Sequence, residues 1–141
     1  VIRTSWLYSS FGKNFVKTMI SLMKKNKSVK VVNDQIGSPT YAHDLARLII
    51  KIIINHKNES GLFHYSNDGE ISWFDFARSI KELYNLDCEI IGVSSKEFKT
   101  LAKRPKYSLL DKTKIKKTFN LEIPNYKQSL ENCIKVIKNE A

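Results

Sequence analysis

The strongest constraint on the fold is an alternation of hydrophobic period. Short apolar runs that suit strands are followed, again and again, by stretches whose apolar residues recur every three or four positions. That pattern belongs to α/β chains, in which helices cover a largely parallel sheet. Residues 1–8 read as a strand ending in Trp6 and Tyr8. Phe15, Val16, Met19, Ile20, Leu22 and Met23 fall on one helical face. Lys24 and Lys25 close that helix, where cations suit the negative end of its dipole. A short strand follows at Val29–Val32. Thr40 is then placed to cap a helix that buries Leu45, Leu48, Ile49, Ile52 and Ile53.

The second half repeats the theme. Leu62–Tyr65 reads as a strand and Asn67-Asp68-Gly69 as a turn. Ser72 with Asp75 three residues on is a capping box, opening a helix whose stripe is Trp73, Phe76, Ala77, Ile80, Leu83 and Tyr84. Glu89–Val93 reads as a strand, and Ser94 with Glu97 as the start of a short helix through Leu101. Residues 102–110 read as loop. Asp111 caps a small helix carrying Ile115 and Phe119. Asn125 caps the last helix, which buries Leu130, Cys133, Ile134 and Ile137. The expectation is one α/β unit over residues 1–141, with short strands alternating with about five helices. No repeat, linker or low-complexity segment interrupts it. The chain opens on Val1 inside a strand apolar enough to want neighbours on both edges, which suggests a piece of a longer protein.

Composition narrows the function classes. The 141 residues carry a net charge of +10, from 24 basic and 14 acidic side chains. Nucleic-acid binding is the obvious thought. Lysine outnumbers arginine twenty to four, however, and the lysines are spread along the chain. Readers of bases favour arginine for its planar fork. The charge therefore argues for a general attraction to anionic ligands such as a nucleotide diphosphate, and against a dedicated nucleic-acid role. No apolar run approaches the roughly 20 residues of a membrane span. Cys88 and Cys133 are isolated, with neither metal spacing nor a disulfide framework, which favours the cytoplasm. His43, His56 and His64 are too scattered for a metal site.

The usual signatures of catalysis are missing. Glycines stand only at 12, 37, 61, 69 and 92, so no Gly-rich dinucleotide turn can form. No Tyr-x-x-x-Lys pair, Gly-x-Ser-x-Gly elbow or His-Glu-x-x-His helix occurs. What remains is binding chemistry. Trp6, at the end of a strand, either closes the core or offers a flat face to a sugar or nicotinamide ring. Asn14 either caps its helix or holds an anion there. Gln35, before the Gly37-Ser38-Pro39-Thr40 turn, either satisfies local backbone or hydrogen-bonds a base or sugar hydroxyl. Arg104, within Lys103-Arg104-Pro105-Lys106, either sits on a solvated basic loop or grips a diphosphate bidentately.

Several phrases, in order, resemble one family. They are Arg3-Thr4-Ser5-Trp6-Leu7-Tyr8, Gly12-Lys13-Asn14-Phe15-Val16, Asp34-Gln35-Ile36-Gly37-Ser38-Pro39-Thr40, and Lys103-Arg104-Pro105-Lys106-Tyr107-Ser108-Leu109-Leu110-Asp111. Gly61-Leu62-Phe63-His64-Tyr65-Ser66-Asn67, continued by Glu70, Ser72, Trp73, Phe76 and Ala77, fits the same series. Together they are similar to the dTDP-4-dehydrorhamnose reductase family, extended-type short-chain dehydrogenases/reductases with a Rossmann-type fold. The resemblance implies the carboxyl-terminal, substrate-binding part of such an enzyme. The whole enzyme reduces the C4 keto group of dTDP-4-dehydro-L-rhamnose with NADPH or NADH, in dTDP-rhamnose biosynthesis. The cofactor turn and the Tyr-x-x-x-Lys pair would lie upstream, leaving no catalytic residue in this chain and the chain inactive alone. The family's sugar-contacting tryptophan matches Trp6. By similarity Asn14, Gln35 and Arg104 line the nucleotide-sugar pocket, with Arg104 nearest the phosphates. Some members form homodimers bridged by Mg²⁺, and no residue here is assigned as a metal ligand. Ser9 follows Tyr8 where some members have glycine. Two other readings stand beside this one: a non-catalytic, reductase-like regulatory subunit, and a small basic nucleic-acid-binding domain.

Overall fold

A computed structural model describes residues 1–55, 59–98 and 104–139. The expected alternation is present, with five helices among the described residues. Strand β1 (Ile2–Thr4) pairs in parallel with β6 (Phe63–Tyr65), β2 (Leu7–Tyr8) with β5 (Thr40–Tyr41), and β3 (Ser28–Val32) with β8 (Glu89–Val93). The antiparallel pair is β4 (Ile36–Gly37) with β7 (Ile71–Ser72), in the register Ile36 to Ser72 and Gly37 to Ile71. The helices are α1 (Phe15–Lys25), α2 (Ala42–Asn55), α3 (Trp73–Tyr84), α4 (Thr113–Phe119) and α5 (Tyr126–Asn139).

Local chemistry explains most of the boundaries. The Asn14 side chain accepts from the Lys17 amide at 3.3 Å and so caps α1. The Ser72–Asp75 capping box opens α3 as its sequence predicts. Asn85, at φ 58°, closes that helix in the left-handed conformation that asparagine tolerates. Asp111 accepts from the Thr113 amide at 2.8 Å just ahead of α4, and Asn125 accepts from the Lys127 amide at 3.0 Å at the head of α5.

Two apolar clusters form the core. One joins α1, α3 and α5 through Val16, Met19, Ile20, Phe76, Ala77, Ile80, Leu130, Cys133 and Ile134. The other joins α2, β6 and α4 through Leu48, Phe63, Tyr65, Ile115 and Phe119.

Four readings need correction. The strand over residues 1–8 is broken in two, because Trp6 takes a left-handed backbone at φ 47°. Thr40 does not cap a helix. It is a fully buried strand residue whose hydroxyl donates to the Ser5 carbonyl and accepts from Thr4, so α2 starts only at Ala42. Of the face assigned to α2, Leu48 is buried, but Ile49 and Ile53 are exposed along with Ile50 and Ile54. Helical period finds a stripe but cannot say which edge of it meets the core. Finally, Ser94 and Glu97 do hydrogen-bond as a capping pair, yet residues 95–97 form only a turn. The expected helix end at Leu101 lies outside the described residues, as do His56 and Lys103.

Candidate functional site

Trp6 stands at the break between β1 and β2. Its carbonyl accepts from the Thr40 amide at 3.1 Å, and the turn carries its ring out of the strand line. A bulky residue in the left-handed region costs about 1–2 kcal/mol relative to ordinary backbone. The ring is held accordingly. It stacks on Trp73 with ring centres 3.7 Å apart and planes 15° from parallel. Trp73 in turn meets Phe15, the first residue of α1, at 4.6 Å. On another side Gly37 of β4 leaves space that only glycine can leave: a Cβ there would lie 2.8 Å from Trp6 Cε2 and Cζ2 and from Ser108 Oγ.

The segment carrying Arg104 is tied to the same strand. The Ile36 amide donates to the Lys106 carbonyl at 2.7 Å, and the Ser108 amide donates to the Ile36 carbonyl at 2.8 Å. This clamps residues 106–108 along β4 and sets Arg104 at the lip of a cleft. Two cavities meet there. The smaller, about 210 Å³, is lined by Ser5, Trp6, Gln35, Trp73, Arg104 and Ser108, among others. The larger, about 380 Å³, runs between α1 and β3. Gln35, Trp73 and Arg104 line both, so the two lie side by side as neighbouring parts of one groove. Its larger part is walled by Phe15, Met19, Leu22, Val29 and Phe98, with Lys30 and Arg104 as cations.

Polar groups at the groove are braced from behind. Gln35 is largely buried, and its amide donates to Ser95 Oγ at 2.9 Å. Ser95 donates to Asp34 Oδ1 through its hydroxyl at 2.6 Å and through its backbone amide at 2.9 Å. The Ser95 side-chain hydrogen bond is the main reason the Asp34 carboxyl sits below its ordinary range. Tyr107 donates to Glu70 at 3.2 Å, and desolvation and then the Glu70 charge push its phenol up. Arg104 is exposed and forms no ion pair among the described residues.

The sequence-derived residues are thus partly gathered. Trp6, Gln35 and Arg104 line one cavity. Asn14 stands apart from it, its amide donating to the Ser9 and Phe11 carbonyls while its oxygen caps α1. Helical period puts Trp73 on the core stripe of α3, and it does pack against that core, but it also lines both parts of the groove. The available signal was its place directly after the capping serine, where a large ring lies at a helix end instead of beneath its middle. Ser95 carries no sequence signal and Ser108 only its place in a family phrase, since their roles arise from contacts with residues about sixty and seventy positions away. Among the described residues no cluster of three or more His, Cys, Asp or Glu is arranged to hold a metal ion. No helix among them is long and apolar enough to cross a membrane.

Comparison with known proteins identifies the family. The chain is 38% identical over 143 residues to a dTDP-4-dehydrorhamnose reductase of Aggregatibacter actinomycetemcomitans, covering 94% of this chain and 48% of that protein. The crystal structure of dTDP-4-dehydrorhamnose reductase from Bacillus anthracis in complex with NADP superposes with a TM-score of 0.91 at 43% identity, covering 96% of this chain and 47% of that one. The reductase from Clostridium acetobutylicum gives 0.91 at 41% identity, covering 97% and 48%. The chain therefore spans about half the length of the relatives it matches. A family model for the RmlD substrate binding domain matches residues 1–139, which places the chain in that family.

Proposed function

We propose that residues 1–141 are one substrate-recognition unit, the carboxyl-terminal part of an NAD(P)H-dependent dTDP-4-dehydrorhamnose reductase. The whole enzyme reduces the C4 keto group of dTDP-4-dehydro-L-rhamnose to dTDP-L-rhamnose. The observation that carries this reading is the groove that gathers Trp6, Gln35 and Arg104 in a chain of this family. Trp6 meets the sugar. The apolar wall between α1 and β3 takes the base, with Gln35 lining the same cavity. Arg104, exposed at the lip, pairs with the diphosphate, where its fork suits two phosphate oxygens. Asn14 enters through the loop it ties down, at the head of the helix whose first residue, Phe15, lines the groove.

The nicotinamide cofactor supplies the hydride when bound. This chain has no Gly-rich turn to hold its pyrophosphate. The reading therefore assigns that task, and proton transfer, to the other part of the enzyme. Among the described residues β1 pairs with β6 alone, and Ile50, Ile53 and Ile54 of α2 are exposed. A strand and a helix of the cofactor-binding part fit there.

Calorimetric titration with dTDP tests the recognition role. Saturable binding that Arg104→Ala weakens is expected. Absence of binding would favour a role through protein contact, as in a reductase-like regulatory subunit. The chain alone is expected to show no NADPH oxidation with the keto-sugar nucleotide, and turnover by it would overturn the division of labour. Stronger, salt-sensitive binding to arbitrary duplex DNA than to dTDP would point instead to a nucleic-acid role.

A further inference from the structure

We propose that Trp73 is a positioning residue for sugar recognition: its ring fixes the orientation of Trp6 and thereby sets where the sugar of a nucleotide sugar comes to rest. The inference rests on the reading of the groove above. It starts from the strained backbone at Trp6, whose φ of 47° leaves the ring free of the strand's usual alternation. Such a ring has no regular neighbour to define its direction. Trp73 provides one, covering a face of Trp6 at 3.7 Å and 15°. Trp73 is itself held by structure that does not depend on Trp6. It is the first residue of α3, directly after the Ser72–Asp75 capping box, and the preceding residues pair with β4. Phe15 supports it at 4.6 Å.

The opposite constraint comes from Gly37. Because a Cβ at Gly37 would collide with Trp6 Cε2 and Cζ2, the ring is bounded by backbone on one side and by Trp73 on another. A ring fixed in two directions before a ligand arrives loses little freedom on binding, which is how preorganised contacts gain specificity. Trp73 also lines both the Trp6 cavity and the larger apolar cavity. It therefore stands where the sugar and nucleotide ends of one ligand would part. One face of Trp6 is taken by Trp73, so the sugar meets the remaining surface of the ring.

The chain has two tryptophans, so a Trp–Trp exciton couplet in its circular dichroism can come only from this pair. The couplet is expected in the wild-type chain and should vanish in both Trp73→Leu and Trp6→Phe. A wild-type spectrum that both variants reproduce would overturn the stack. The positioning role is read from the ratio of affinities for dTDP-rhamnose and dTDP. Loss of an aromatic stack corresponds to about a threefold to tenfold change in binding. Trp73→Leu should lower the ratio by that factor, and Trp73→Phe, which keeps a ring, should restore most of it. Gly37→Ala, whose added methyl group would press on Trp6 and Ser108, should lower the ratio too and serves if Trp73→Leu does not fold. A wild-type ratio retained in Trp73→Leu, or an equal loss of both ligands, would make Trp73 merely structural. A wild type that binds neither ligand, or both equally, would instead overturn the reading of the groove.

Discussion

Asn67 and Arg104 lie at opposite extremes of how this molecule uses polar side chains. Asn67 is fully buried and fully engaged. Its side-chain oxygen accepts from the Tyr41 amide at 2.7 Å, and its nitrogen donates to Asp44 Oδ2 at 2.7 Å and Ser129 Oγ at 2.9 Å. Its carbonyl accepts from Ser38 Oγ and from Lys112 Nζ. These bonds join β5, α2 and α5 at a single point. Arg104 is exposed at the lip of the groove, with no ion pair among the described residues. Donors spent inside the protein hold elements together, whereas donors left over at a concave surface are available to a ligand. The contrast separates framework from recognition without reference to any ligand.

The sharpest way to break it is Asn67→Ala. That change strips a buried amide and several side chains of their partners, and should cost about 3 kcal/mol or more of stability. Urea unfolding measures it, and dTDP affinity below the transition should stay as in the wild type. Gly37→Ala straddles the two regions. Overpacking against Trp6 and Ser108 should cost about 1–3 kcal/mol, together with a loss of sugar discrimination.

Asp68 supplies a framework test by pH. Burial alone would raise its carboxyl, but hydrogen bonds and charge from Lys112 and Lys116, each at 2.7 Å, hold it below the ordinary value. A carboxyl depressed on folding contributes stability above its unfolded pKa of about 3.9, and that contribution is lost as pH falls through the lower folded value. Thermal melts should fall off more steeply below about pH 4 in the wild type than in Asp68→Asn. At the other end, Arg104→Ala should change stability by no more than about 0.5 kcal/mol. It should still weaken dTDP binding by about tenfold, a loss that shrinks as salt is raised. A large stability loss in Arg104→Ala would erase the distinction between the two regions.

How legible each region was differs for physical reasons. The capping box at Ser72, the stripe of α3 and the cap at Asn125 are short-range devices, written within a few residues of one another. Trp6 was marked by its place at a strand end. Thr40 resembles a cap in sequence, because a hydroxyl ahead of an apolar run looks like one wherever its long-range partners are unseen. Asn67 reads as an ordinary turn residue for the same reason, since its side-chain partners are 23 to 62 positions away.

By itself the sequence determined the α/β alternation, most helix starts, the lack of a Gly-rich cofactor turn and the family phrases around Trp6, Gln35 and Arg104. Each is a matter of residue type and local spacing. Only the tertiary structure decided that β1 and β2 are separate strands, that α2 exposes Ile50, Ile53 and Ile54, and that Trp73 stacks on Trp6. Those outcomes depend on which distant backbones pair. Gly37, for instance, faces Trp6 only because β4 pairs with β7 and β2 with β5. Packing between segments sets them, and no local period encodes it.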